Sequence, residues 1–323
     1  MGSEAHVGTG AQEHGAAGGG HGGMGAQGHG EGAPDRVADW VAARTPAPVA
    51  GWMPGALSIV RPRNLVMAAA AVGIGGCLAQ GRFAIPPALW WAMASAIGLG
   101  ASGNTANDLF DVEADRINRP LRPLVTGALS RRAAMLVAGV AGGLGLWAAW
   151  WVSGTLFVLG LAALLVMLVY SPLLKSRGLL GNVAVAVVAS MPLVYGAAAV
   201  GWWRAGLVAA VLAAFLHLAR EVVKDLEDVP GDLAMGRATV PIGWGVDAGY
   251  FTAAGVLALF VPVSLVPWIA GWYGPRYGSI VLLVDLGIVA LIARLAQRHL
   301  DGARAALKVA MAAGLLALLW ERI

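Results

Sequence analysis

Charge is scarce in this sequence. Asp, Glu, Lys and Arg make up 12% of its 323 residues, where a soluble globular domain carries about 25%. So few charges cannot cover a water-exposed surface, which excludes an ordinary soluble enzyme. The apolar bias excludes a disordered chain or a collagen-like fibre as well. Cysteine is almost missing. Cys77 is the one thiol, so no disulfide can form within the chain and a thiolate metal centre is not expected. Short alternating apolar and polar strands are also missing, which argues against a transmembrane β-barrel. What is present is apolar: 58% of the residues are hydrophobic, and they fall in long unbroken runs. These features predict an all-α, polytopic membrane bundle. The formal net charge of +4 does not point to nucleic acid, because the basic residues are scattered at the ends of apolar runs.

Residues 1–55 differ from the rest. They are rich in Gly and Ala and carry His6, His14, His21 and His29. They lack the pattern of a secretory signal. Such a segment cannot bury enough apolar surface to offset its backbone entropy, so it reads as a disordered low-complexity tail. A loose metal chelator is the functional alternative for its histidines. Residues 56–323 form the membrane domain. Nine apolar runs long enough to cross a bilayer core of ~30 Å lie near 64–81, 86–107, 131–150, 152–170, 179–200, 204–222, 247–270, 278–297 and 303–320. The third and fourth touch, and only their combined length separates them.

Of the 22 Lys and Arg residues, all but Arg82, Arg204, Arg276 and Arg322 fall on the side that holds the N-terminus and the connections after the even-numbered spans. That side is therefore expected to be cytoplasmic. Ten tryptophans (Trp90, Trp91, Trp147, Trp150, Trp151, Trp202, Trp203, Trp268, Trp272 and Trp320) fall at the opposite interface, where an aromatic belt is expected.

The chemistry lies in two cytoplasmic connections. Asn104, Asp108, Asp111 and Asp115 follow the second span, and Glu221, Asp225, Asp228 and Asp232 follow the sixth. Both sets run at offsets 0, 4, 7 and 11, which place them on one face of a helix. Each matched pair is 117 positions apart, and four spans lie between them. Both ladders therefore cross in the same direction, which implies a weak internal repeat with two halves facing each other. Acids stacked on one face at a helix C-terminus repel one another and oppose the helix dipole. A hard divalent cation removes that cost, and carboxylate and amide oxygens are a Mg²⁺ ligand set. Two opposed ladders could hold two Mg²⁺ ions and clamp a pyrophosphate between them. Solvated loop acids, or the cation site of a cation-coupled transporter, are the other readings. Transport would favour acids at mid-membrane depth, and these lie at span ends.

Basic residues complete the set. Arg119 and Arg122 follow the first ladder, Lys224 lies within the second, and Lys175 and Arg177 sit in the connection after the fourth span. Arg122, Lys175 and Lys224 are the preferred contacts for phosphate oxygens. Asn64 opens the first span as a cap or a substrate contact.

These residues resemble the UbiA superfamily of intramembrane prenyltransferases. Asn107, Asp108, Asp111 and Asp115 match its NDxxDxxxD motif, and Asp225, Asp228 and Asp232 match its DxxDxxxD-type motif. The likeness covers about residues 58–322. Residues 115–124 and 220–232 resemble the digeranylgeranylglyceryl phosphate synthase-like branch most. The resemblance implies transfer of a polyprenyl group from a polyprenyl diphosphate to a lipid or aromatic acceptor, preferably a glyceryl phosphate lipid. It implies Mg²⁺ held by Asn104, Asp108 and Asp111 on one side and by Asp225, Asp228 and Asp232 on the other, with Asp115 nearby. Asp108, Asp111, Asp225 and Asp228 would act on the leaving group, with Asn64, Arg122, Tyr170, Lys175 and Lys224 on substrate. The implied reaction passes through an allylic cation, which makes the rings of Tyr170, Tyr195 and Phe215 candidates to face it, although core packing explains each of them too. The implied location is the cytoplasmic membrane, with the site facing the cytoplasm. A quinone-precursor prenyltransferase and a terpene cyclase remain as related readings.

Overall fold

The computed structural model describes residues 52–321. The histidine-containing tail lies outside the described residues. The described residues form helices joined by short turns, with no strand among them. A short helix, α1 (Trp52–Val60), leads into α2 (Pro62–Gln80) and α3 (Pro87–Phe110), and α4 (Val112–Asn118) follows directly. Next come α5 (Arg131–Val152), α6 (Gly154–Val169), α7 (Leu179–Ala199) and α8 (Leu207–Ala234). The chain then passes through a single turn, α9 (Val240–Gly243), into α10 (Val246–Ile269), α11 (Pro275–Ala296) and α12 (Ala303–Trp320).

Local sequence sets the ends. Proline opens α2, α3 and α11, where its missing N–H costs nothing. Ser153 alone separates α5 from α6. Its backbone is extended, and its hydroxyl accepts from the Leu156 amide at 3.1 Å, so one capping residue divides the two touching spans.

Eight helices are long and apolar enough to cross a membrane, by length and composition. With them the described residues make the expected polytopic bundle of about nine helices. The expected run outside these eight is α3. It has 24 residues, but it carries Ser95, Ser102, Thr105 and Asp108, all buried. Packed against α2, α5, α6 and α7, it spends polar residues on its neighbours that a lipid-facing helix could not carry. The ten interface tryptophans are all exposed, among many large exposed aliphatics, as a lipid-facing surface requires and a water-facing one does not tolerate.

The helix pairing repeats. α2 packs on α3 as α7 packs on α8, α3 on α5 as α8 on α10, and α5 on α6 as α10 on α11. Small residues allow the close approaches, as is usual where lipid supplies no hydrophobic drive. A Cβ on Gly75 would lie 2.0 Å from the Leu193 carbonyl oxygen, and one on Gly196 would lie 1.8 Å from that of Val72. The α2–α7 contact therefore exists only with glycine at both places.

Candidate active site

The first ladder is not on one helix. Asp111 takes a non-helical conformation (φ −94°, ψ 5°) that ends α3, and Asp115 is carried by α4. Asp108, Asp111 and Asp115 are all buried. Asp108 pairs with both Arg61 and Arg122. Asp111 accepts from Lys175 Nζ at 3.1 Å, from Arg237 at 2.6 Å and from the Asn107 amide at 2.8 Å. Asp115 accepts from Arg122 at 2.7 Å, with Arg119 3.5 Å away. Asn104 donates to the Val60 carbonyl at 2.9 Å, fastening α3 to α1.

The second ladder stays on α8, which runs unbroken through Pro230. Asp225, Asp228 and Asp232 are buried as deeply as the first set. The two ladders meet through shared cations. Arg119 joins Asp115 to Asp228, reaching both Asp228 oxygens at 2.7 and 2.9 Å. Arg237 joins Asp111 to Asp232 at 2.9 Å, and Lys175 joins the same two acids, 3.5 Å from Asp232. Asn118 adds a neutral clasp, donating to the Asp228 carbonyl and accepting from the Gly231 amide, each at 3.0 Å. A Cβ on Gly231 would come within 2.7 Å of the Ala114 carbonyl oxygen, so glycine there lets α4 lie against α8.

The electrostatics differ along the first ladder. Burial pushes the Asp111 carboxyl up, but Lys175 and Arg237 outweigh it and hold the group below the usual range. Asp115 moves the other way. Burial raises it, and the repulsion of Asp111 and Asp108 adds to burial, so that Arg122 does not bring it back.

Beside the ladders an apolar cavity of about 370 Å³ opens among α2, α3, α6, α7, α8, α10, α11 and α12. Its ladder end is polar, with Arg61, Asn64, Asn104, Asn107, Glu221 and Lys224 in the wall. Its far end reaches Phe260, Ser264 and Tyr277. There Tyr277 donates to the Ser264 carbonyl at 2.8 Å, and the Ser264 hydroxyl sits 2.9 Å from the buried Asp285 carboxyl. Tyr170 and Tyr195 line the cavity. Tyr195 Oη lies 2.7 Å from Ser95 Oγ, and Tyr170 Oη is buried with no hydrogen-bond partner. Phe215 is not in the cavity wall. It packs into the core beside α8 instead, because its helical position turns it away. Lys224 meets Glu221 at 2.6 Å at the cavity wall, and Lys175 is inside the cluster, turned inward by a π-helical turn over Tyr170–Leu174. Arg177, two residues further on, is exposed.

A metal ion would find hard oxygen donors here. Asp225 Oδ1 and Asp232 Oδ2 are buried carboxylate oxygens without a hydrogen-bond partner, and such groups are costly unless something binds them. Their chemistry fits a hard divalent cation. Among the described residues no three acids, histidines or cysteines converge closely enough to hold an ion by themselves, because Lys and Arg stand between them. Several of these partners were not singled out as site residues from sequence: Arg61, Arg237, Asn182, which donates to Asp225 at 3.0 Å, and Asn118. Arg237 had a faint signal, lying five positions past the last ladder acid, after Gly236 (φ 63°) turns the chain back.

The fold and the paired acid ladders define an intramembrane helical protein built around one polar cluster at the mouth of an apolar cavity. The UbiA prenyltransferase family model matches residues 66–316, and the chain belongs to that family of membrane prenyltransferases. It is 37% identical over 246 residues to the digeranylgeranylglyceryl phosphate synthase of Haloquadratum walsbyi, covering 74% of this chain and 84% of that protein. It is 34% identical over 288 residues to the synthase of the same name from Hyperthermus butylicus, covering 82% and 95%. Among solved structures, a UbiA homologue from Archaeoglobus fulgidus bound to DMAPP and Mg²⁺ superposes with a TM-score of 0.62 at 19% identity, covering 82% of this chain and 99% of that one. A UbiA homologue from Aeropyrum pernix gives 0.69 at 18%, covering 79% and 98%. At these identities the superpositions speak for the fold.

Proposed function

We propose that this protein transfers a polyprenyl group from a polyprenyl diphosphate to the hydroxyl of a polyprenylglyceryl phosphate lipid, at the cytoplasmic face of the cell membrane. The observation that carries the proposal is the junction itself: an apolar cavity ends where two acid ladders are cross-linked by cations. An allylic diphosphate has the same two parts, a long apolar tail and a polyanionic head. The names of the 34–39% identical relatives support the acceptor class, and the excess of Lys and Arg on the ladder side supports the orientation.

Asp225 and Asp232, whose spare oxygens lack partners, would hold Mg²⁺ together with Asp228. Asn104, Asp108 and Asp111 would do so on the other ladder, with Asp115 beside them. The bound ion would neutralise the leaving diphosphate and so lower the barrier to ionisation. The chain's own cations suit the same task. Lys175, Arg119 and Arg237 each span two carboxylates, and a diphosphate arriving with its counter-ions can exchange places with those carboxylates as hydrogen-bond acceptor. Arg122 and Lys224 supply further donors for phosphate oxygens. Asn64 sits at the rim. The cavity wall keeps water from the allylic centre, with Tyr170 and Tyr195 as its electron-rich surfaces.

The test is purified protein in lipid vesicles, given labelled geranylgeranyl diphosphate and geranylgeranylglyceryl phosphate, with the prenylated product weighed by mass spectrometry. Turnover should need Mg²⁺ and fall about 10³-fold in Asp108→Ala and in Asp225→Ala. Unchanged turnover in both variants would overturn the assignment, and product only with an aromatic acceptor would move the protein to a quinone-precursor reaction.

A further inference from the structure

We infer that the α2–α8–α12 wall of the cavity mouth is a second anion seat, built on Lys308 and Arg220 and bordering the ladders at Arg61, Glu221 and Lys224, and that it takes the phosphate monoester of the acceptor lipid. This rests on the acceptor class proposed above. Four cations, Arg61, Arg220, Lys224 and Lys308, line the cavity against one carboxylate, Glu221. Glu221 is already shared by Arg220 at 2.8 Å and Lys224 at 2.6 Å, and Arg61 turns to Asp108. Lys308 has no ion pair among the described residues, while Arg220, Arg304, Arg63 and Arg61 all lie near enough to repel its ammonium.

Like charges on three packed helices oppose the packing. The bias toward basic residues at the inner end of spans accounts for cations near water. It does not account for their convergence on one wall of an apolar cavity. A bound anion does, by the same reasoning that assigns a cation to the ladders. A phosphate monoester carries nearly two charges and three acceptor oxygens, which suits several separate cations. The acceptor's geometry fits as well. The glycerol carbons hold its phosphate apart from its reacting hydroxyl, so the phosphate must sit beside the diphosphate site and not on it. Arg61 marks that border, since it pairs with the first ladder and lines the cavity mouth.

Lys308 is exposed, so its substitution should leave the fold intact, which thermal unfolding checks. In vesicles, Lys308→Gln should raise the KM for geranylgeranylglyceryl phosphate about tenfold, the loss of one charge-assisted hydrogen bond. The KM for geranylgeranyl diphosphate should stay the same, and Lys308→Arg should recover most of the loss. Arg220→Gln should act in the same direction. With geranylgeranylglycerol, which has no phosphate, wild type and Lys308→Gln should turn over alike. An equal rise in donor KM would assign this wall to the diphosphate, and an acceptor KM within twofold of wild type would leave the wall without a ligand. Either result overturns the inference. Failure of the wild type itself to use any phosphorylated acceptor is a separate result and removes the proposed acceptor class.

Discussion

The two acid ladders share their spacing and differ in almost everything else. The first is broken at Asp111 between two helices, and each of its acids meets at least one Lys or Arg at hydrogen-bonding distance. The second lies on one continuous helix and leaves two carboxylate oxygens, on Asp225 and Asp232, buried without a partner. Most of the cations that satisfy the first ladder also serve the second, from one side only. The lesson is that a repeated sequence pattern did not produce a symmetric site. One ladder is nearly neutralised by protein, and the other holds unspent capacity for a metal ion.

The comparison can be broken most directly at Asp225. Asp225→Ala should lower turnover about 10³-fold and raise the Mg²⁺ concentration needed for half-maximal rate. Asp115→Ala, on the neutralised ladder, should cost less and shift the Mg²⁺ requirement little, so equal shifts from initial-rate titrations would erase the asymmetry. Next is Arg119→Ala, which leaves Asp228 and Asp115 buried without their shared cation. A loss of about 3 kcal/mol of stability is expected, read as a lower unfolding temperature in detergent, and Arg119→Lys should lose less. Gly231→Ala pushes a methyl group against the Ala114 carbonyl and Asn118 and should cost about 2 kcal/mol by prising α4 off α8, measured in the same way. The smallest effect should come from deleting residues 1–50, outside both ladders, with the rate in the vesicle assay within twofold of full length.

Much of this was legible in the residues. Run length and the one-sided bias of Lys and Arg mark the membrane helices, and the offsets of Asp108, Asp111 and Asp115 against Asp225, Asp228 and Asp232 mark the acids, because both patterns are local. The partners were not legible. Arg237 and Asp111 are 126 positions apart, and Asn182 meets Asp225 across 43. No spacing rule links such residues, since their distance depends on how several helices pack. Among the expected spans α3 stands apart in composition for a related reason. Hydropathy reports what a helix offers to lipid, and α3 offers its buried polar residues to its neighbours.

The sequence by itself determined that the chain is a helical membrane protein with two acid ladders at one side of the bilayer, since scarcity of charge, length of apolar runs and helical periodicity are properties a chain has before it folds. Only the tertiary structure decided which cations bridge which acids, where the cavity meets them, and that the ladders are unequal. Those outcomes depend on contacts as close as the Val72 carbonyl against Gly196, and such contacts exist only once remote helices are pressed together.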